Sequence, residues 1–468
     1  MTILSWKNYK AALEKTLVKA PPDDTPSPRP KDIKIDTREN MKGKWFLPLK
    51  GAHFDGHSFI EEAFQGGAIG AFSEIQHKDK LPQELHDKII FVTDCLLALQ
   101  KIATYIREQN KETLIFAITG SVGKTSTKNL LASILDETGE KTLLAPKNFN
   151  NELGLPLTLL QLEKSHKYAV LEMGARKIGD ISFLKKIAKP DINLCLCVGS
   201  AHIGTFGSKE NIYQGKLEIL ERTVKEQKNL VLKDDPLLLE KALRIDSNCY
   251  TFGTKEGADA QLLDSKFLGK GKGQVTIKLF GRIFSAILST EHDGLMKNAV
   301  AASLLAFLGG VSIEQIKSGL EKFYPTESRF KTIKKTSFTL IDDSYNASLE
   351  SMKAGIDSVL KAYPAKKITC FLGDMHDLGS FSDDYHFKLA EFCLEKELTS
   401  IVTVGEKTST AFQKIFENTH RETKLFHFNS SQQFIEQTHK LESFGEILYF
   451  KGAQCMNLKK IITYFLAL

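Results

Sequence analysis

No C-x-x-C pair occurs among the seven cysteines, which are scattered over 468 residues. That excludes a disulfide framework, and the odd count fits a reducing cytosol. Cys195 and Cys197 alternate inside an apolar run over 192–198, as core residues on a strand would. No apolar run approaches the ~20 residues a membrane helix needs. The longest, 299–308, reads as a buried helix. The opening Met1-Thr2-Ile3-Leu4-Ser5-Trp6-Lys7 has no apolar h-region, so no signal peptide and no membrane insertion are expected. No Lys/Arg run interleaved with aromatics argues for nucleic acid. No solenoid-period repeat and no guanine-reading N-K-x-D motif is present. The net charge of +6 suits an ordinary solvated surface and is compatible with a polyanionic substrate. The expectation is a cytoplasmic monomer.

What is present divides the chain into roughly three domains. The Pro-rich stretch 21–30 must be a loop. A small mixed region follows, with strand-like runs at 68–73 and 89–93. From Leu114 a second region alternates short, unbroken apolar runs (114–119, 168–171, 192–198, 229–232) with helical stretches. Such runs are expected of strands buried on both faces of a parallel sheet. Residues 274–288 alternate like hairpin strands on its flank. A third region repeats the alternation with runs at 338–341, 368–372, 401–404, 424–428 and 447–450, a Rossmann-like pattern without the dinucleotide fingerprint. The spacing predicts an α/β fold of three domains: 1–109 small α/β, 110–324 a central parallel-sheet P-loop domain, and 325–468 Rossmann-like.

The motif richest in chemistry is Thr119-Gly120-Ser121-Val122-Gly123-Lys124-Thr125-Ser126, between a predicted strand and a predicted helix. Glycines let backbone N–H groups turn onto phosphates, and the helix N-terminus adds the positive end of its dipole. Lys124 would reach the β- and γ-phosphates and Thr125 would offer its hydroxyl to Mg²⁺. Glu172 and His202 follow strands, at the edge where ligands bind in parallel sheets. Lys216 sits in a predicted helix and, taken alone, reads as a solvated lysine. In the third region Asp342-Asp343-Ser344-Tyr345-Asn346 stands at a strand end behind Arg329. A carboxylate there can accept from a ribose hydroxyl, and an Arg can neutralise a transferring phosphoryl group.

Together these segments resemble the Mur ligase family over nearly the whole chain. The shortened G-x-x-G-K-T loop is that family's form, shared with folylpolyglutamate synthetases. Asn148-Phe149-Asn150-Asn151 with Gly154 and Pro156, Glu172-Met173-Gly174, Ala201-His202, and Lys216-Leu217-Glu218 match in order and spacing. Asp36-Thr37-Arg38, Gly51 and Asp55-Gly56-His57 look like the family's first-domain segments. Asp342 to Ala347 is similar to the segment of the D-alanyl-D-alanine-adding member.

The resemblance implies an ATP-dependent amide-bond ligase acting on UDP-MurNAc-tripeptide and D-alanyl-D-alanine, with two Mg²⁺ ions and a CO₂-derived carbamate on Lys216. It implies Lys124, Lys216, His202, Glu172 and Arg329 as catalytic, and Thr125, Glu172, His202 and Lys216 as metal ligands. Residues 119–126, Asn298, Arg329 and Asp343 would bind ATP. Asp36, Thr37, Arg38, Gly51, Asp55, Gly56, His57, Asn148, Asn150, Asn151, Tyr345 and Asn346 would bind the other substrates. The alternatives are another Mur ligase or a folylpolyglutamate synthetase, a P-loop switch, or a non-catalytic UDP-sugar binder. Two departures stand out. The adenine-side H-N-x-x-N reads Gly294-Leu295-Met296-Lys297-Asn298, and K-G-S-R reads Lys451-Gly452-Ala453-Gln454.

Overall fold

The computed structural model describes residues 4–51, 54–146, 148–325, 328–417, 422–437 and 444–467. Three sheets follow one another along the chain. The first orders its strands Leu17–Lys19, Ile89–Val92, Gly70–Glu74, Trp45–Phe46 and Ile33–Lys34, parallel except for the first pair. The central sheet has nine strands with Leu114–Thr119 between Tyr168–Glu172 and Ile192–Cys195, all parallel. The third has six, with Thr339–Asp342, Ile447–Lys451, Ile368–Gly373 and Ser400–Val404 as successive parallel neighbours. The α/β expectation and its three sheets are therefore met.

The unbroken apolar runs are the buried strands. Residues 115–118, 168–172 and 192–195 are all buried, because helices cover both faces of the sheet. The flank predicted as a hairpin is a three-stranded antiparallel extension, since Ala260–Gly269 pairs with Lys272–Leu279 beside Arg282–Leu288. Ala260–Gly269 carries seven exposed or half-buried residues in succession, so apolar periodicity could not mark it. The run over 192–198 is a strand only to Cys195. Cys197 is a loop residue whose Sγ lies 3.5 Å from the Val122 carbonyl, a correction to its reading as a strand position.

Helix Cys95–Gln109 starts on Asp94, whose carboxylate accepts from Leu97 N at 2.7 Å, a strong N-cap. It belongs to both of the first two sheets. Near its end the buried Arg107 donates to the carbonyls of Ala188, Lys189, Asn110 and Thr113 and pairs with Asp191 at 3.0 Å. Orphaned carbonyls at helix and loop ends are thereby satisfied by one guanidinium.

The central and third sheets meet through polar contacts. Glu350 holds Ser200, and Asp377 accepts from Gly204 N at 3.1 Å through its carbonyl. Gly204 and Gly379 abut backbone to backbone: a Cβ on Gly204 would stand 2.5 Å from Gly379 N.

Candidate active site

The site grows from the turn after strand Leu114–Thr119. Gly120 (φ 154°) and Gly123 (φ 84°) take backbone conformations that a side chain would disfavour, and helix Lys124–Asp136 begins there. The turn is fixed from the neighbouring strand end. Ser121 N donates to Cys197 O at 3.0 Å, and Ser121 Oγ accepts from Gly199 N at 2.8 Å. Lys124 folds back over its own loop, its Nζ donating to Gly120 O at 2.6 Å. Burial pushes the Lys124 ammonium down from its ordinary value, with Glu172 and Cys197 opposing and Arg329 adding to the depression.

A cavity of about 1410 Å³ opens in front of this turn between all three sheets. It is lined by residues 121–126 of the loop, Glu172, His202, Lys216, Asn298, Arg329, Asp343, Tyr345 and Asn346, and by Asn148, Asn150 and Asn151. Candidates spread along the chain from Ser121 to Asn346 thus face one space. Thr119 and Gly120 do not line it. The buried Thr119 hydroxyl donates to Met173 O at 2.7 Å, so its side chain serves the sheet.

Lys216 differs most from its reading by sequence. It is 1% exposed, and among the described residues it makes no ion pair or hydrogen bond. Its nearest ring is Phe206, 5.9 Å from Nζ to the centroid. Desolvation, then the Lys124 charge, lowers its pKa to about 7. The helix Lys209–Leu217 hides it because that helix is anchored: Glu218 accepts from Ser182 N at 2.9 Å and from Gly179 N at 2.5 Å, and Lys185 donates to Ile219 O at 2.7 Å. A solvated-surface reading of Lys216 is therefore wrong, and no periodicity could have revealed it on a helix of so little amphipathic contrast.

Burial, then Lys124 and Lys216, lowers His202 to about 4, against a weaker pull from Asp377. The imidazole is neutral near pH 7. Its Nδ1 lies 3.0 Å from Asp377 Oδ2, which leaves Nε2 free toward the cavity. Glu172 is buried, and its Oε1 has no hydrogen-bond partner among the described residues. The Lys128 ammonium stands 3.1 Å from that oxygen as an ion pair out of hydrogen-bond alignment. A buried carboxylate oxygen without a hydrogen bond, a neutral imidazole and a low-pKa amine in one cavity make a donor set that fits hard cations once the amine becomes anionic.

Just before the third sheet, Arg329 lies over Tyr345, 4.1 Å from guanidinium carbon to ring centroid. Asp343 accepts from Lys451 Nζ at 2.6 Å and Tyr449 OH at 3.1 Å, both on its Oδ2, which leaves the other oxygen available. Residues that the sequence reading missed also line the space, among them Gln100, Arg176, His292, Phe330, Glu350 and Asp377. The spacing Gly373-Asp374-Met375 to Leu378-Gly379 held a signal for Asp377; nothing in the sequence singled out Glu350.

The first-domain candidates lie outside the cavity. Arg38 pairs with Asp36 at 2.6 Å while its side chain stays 87% exposed, and Thr37 donates to Glu62 at 2.9 Å. Asp55 caps the 3₁₀ turn Gly56–Phe59 by accepting from His57 N at 3.0 Å. Gly56 leaves no room for a side chain, since a Cβ would meet Leu49 N and O at 2.7 Å. Gly51 donates to Phe54 O. His57 is buried, stacks on His77 at 4.0 Å, and its Nε2 accepts from Glu74 N at 3.1 Å. Asp55, His57 and His77, and His57, Glu74 and Cys95, bring their donor atoms within 4.8 Å of one another. Parallel imidazole faces do not aim two lone pairs at one ion, and His57 Nε2 already takes a backbone N–H.

The family described as Mur ligase middle domain matches residues 118–306, and that described as Mur ligase, glutamate ligase domain, matches residues 328–454. The UDP-N-acetylmuramoyl-tripeptide–D-alanyl-D-alanine ligase of Bacillus subtilis is 32% identical over 92% of both chains. Its counterpart from Rickettsia prowazekii is 31% identical over 93% of this chain and 95% of its own. Among solved structures, MurF from Acinetobacter baumannii superposes with a TM-score of 0.86 at 29% identity over 98% of both chains. MurF ligase from Thermotoga maritima in complex with ADP gives 0.80 at 28% identity, covering 92% of this chain and 96% of that one.

Proposed function

The chain belongs to the Mur ligase family, and from that membership we propose that it joins D-alanyl-D-alanine to UDP-MurNAc-tripeptide at the expense of ATP. The tripeptide's terminal carboxylate attacks the γ-phosphorus, the bond to ADP breaks, and an acyl phosphate forms. The dipeptide amine then attacks the acyl carbon, phosphate leaves from the tetrahedral intermediate, and the amine proton passes to solvent.

The protein's share is positioning and electrostatics. Backbone N–H groups of residues 121–125 would cradle the phosphates, and Lys124 would swing from Gly120 O onto the γ-phosphate. Arg329, seated over the Tyr345 ring, would neutralise charge on the transferring group. Asp343 would take a ribose hydroxyl. Asn148, Asn150, Asn151, Tyr345 and Asn346 would line the path of the peptide substrates. Asp36, Thr37, Arg38, Gly51, Asp55, Gly56 and His57 would belong to the uridine end, Asp55, Gly56 and His57 by shaping the loop. Residues 1–109, 110–324 and 325–468 are the functional division in this reading.

Magnesium, when bound, would screen the phosphate oxygens and polarise the γ-phosphorus. Thr125 and Glu172 would hold one ion; His202 and Lys216 would hold the other. Lys216 fits only as a carbamate. Its Nζ lone pair attacks CO₂, a C–N bond forms, and a proton leaves to solvent, giving an anionic oxygen donor. The observation that carries the reading is the buried, unpaired Lys216 beside Lys124: a bare cation there would be repelled and desolvated. No helix among the described residues is long and apolar enough to cross a membrane. Work as a cytoplasmic monomer completes the proposal.

The deciding experiment measures ADP release with UDP-MurNAc-tripeptide, with and without D-alanyl-D-alanine. Release that requires both supports the reading. Release with neither substrate, or none with both, rejects it.

A further inference from the structure

Helix Asp293–Leu308 carries a histidine at its N-cap, where Ser, Thr, Asp or Asn is usual. His292 Nδ1 accepts from Leu295 N at 3.0 Å. A ring nitrogen that accepts bears no proton, so the proton of the neutral ring sits on Nε2, which is then a donor. Burial lowers the ring's pKa, with Asp343 pulling the other way and Lys451 adding to the depression, so the neutral form persists. No described residue hydrogen-bonds Nε2, and the residue lines the large cavity.

Three neighbours define what this donor faces. Phe330 lies against the ring, centroids 4.6 Å apart and inclined at 62°. It is delivered by a turn in which both Ser328 (φ 60°) and Phe330 (φ 57°) are left-handed, a conformation costing such residues about 1 kcal/mol or more. Gly294 lies under the imidazole: a Cβ there would stand 2.7 Å from Cε1 and 3.1 Å from Nδ1 of His292. The third neighbour is Asn298 on the same helix, about 9 Å further along at 1.5 Å per residue. Its amide would be 2.9 Å from a Cβ on Gly123 of the phosphate loop. The helix thus runs from the phosphate loop at Asn298 to an apolar-walled corner at His292, the direction in which a nucleotide runs from its phosphates to its base.

We infer that His292 reads the nucleotide base, its Nε2–H donating to an unprotonated ring nitrogen of adenine against the Phe330 wall, and that Gly294 leaves the space its ring needs. This rests on the ATP-dependent reading above. The glycine that stands at 294 and the histidine at 292 are then two halves of one exchange. An imidazole reaches the cavity from two positions earlier, and the side chain that would block it is absent.

The test is a double-mutant cycle on the full chain, reading ATP affinity by calorimetry together with kcat and the KM values of all three substrates. His292→Asn keeps a good N-cap and the neutral charge but shortens the reach of the donor. It should raise the Kd for ATP roughly fivefold to tenfold, the worth of one neutral hydrogen bond. The KM for the UDP-linked substrate should not change. Gly294→Ala favours the helix, yet should weaken ATP comparably by displacing the ring. In the His292→Asn background the same alanine should do nothing further. An unchanged ATP affinity in His292→Asn, or an alanine effect equal in both backgrounds, overturns the inference. Failure of the wild-type protein to bind ATP at all overturns the ligase reading, a separate result.

Discussion

Glu350 grips Ser200 with both carboxylate oxygens, one accepting the backbone N–H at 2.8 Å and the other the hydroxyl at 2.9 Å. Ser200 lies in the loop after the central-sheet strand Ile192–Cys195 and Glu350 in the first turn of helix Leu349–Ala362, and Ser200 adjoins Gly199, whose N–H donates to Ser121 of the glycine turn. The position of that helix is therefore wired to the shape of the glycine turn before helix Lys124–Asp136. Hydrogen bonds to a charged group contribute about 1.5–3 kcal/mol each. Glu350→Ala should lower kcat about tenfold or more and enlarge the radius of gyration in small-angle scattering. Glu350→Gln, which keeps one acceptor, should fall between. Wild-type kcat and dimensions in Glu350→Ala would remove the coupling.

Lys124→Ala should abolish turnover while leaving the fold intact. Its one hydrogen bond among the described residues is to Gly120 within the same loop, so no contact between elements is lost with it. Circular dichroism and thermal melting check the fold, and ADP release checks the activity. A folded variant with near-normal ADP release would refute the phosphate-loop assignment.

Lys216→Ala should be nearly inactive and partly rescued by acetate, which can supply the missing oxygens. Lys216→Arg should stay inactive, because it keeps a cation and cannot form a carbamate. With ¹³CO₂ the wild-type protein should show a carbamate resonance in carbon NMR. The neutral amine is the reactive form, and its pKa is lowered from 10.5 to about 7. The signal should therefore grow as pH rises through 7, well before an ordinary lysine would respond. Full activity of Lys216→Arg would show that only positive charge is needed there.

Arg38→Ala should raise the KM for the UDP-linked substrate about tenfold and leave that for ATP nearly unchanged. The side chain is solvent-facing and lies outside the large cavity. Steady-state kinetics with each substrate varied in turn separate the two. A rise confined to ATP would mean that the first domain has another task.

The parallel sheets were legible because strands buried on both faces leave unbroken apolar runs, as at 115–118. The glycine turn between strand Leu114–Thr119 and helix Lys124–Asp136 was legible because glycines at that spacing let the backbone turn sharply there. The surroundings of Lys216 and His292 were not. The burial of Lys216 comes from Glu218 and Lys185 fastening its helix to the next one, a tertiary effect with no local signature. His292 gave no signal because the space its ring fills depends on what is missing two residues later, at Gly294. Ala260–Gly269 escaped because it is half solvated and carries little apolar pattern.

Where Gly204 meets Gly379, the two domains touch through main chain alone. Such a joint has no side-chain alphabet: neither partner can be varied without acting as a doorstop. Alanine at 204, its Cβ 2.5 Å from Gly379 N, would push the halves apart; at 379 the Cβ would stand 3.0 Å from Gly204 Cα and the left-handed φ of 54° would add strain. The same closeness means that this seam can be inherited only whole, however far the residues around it drift.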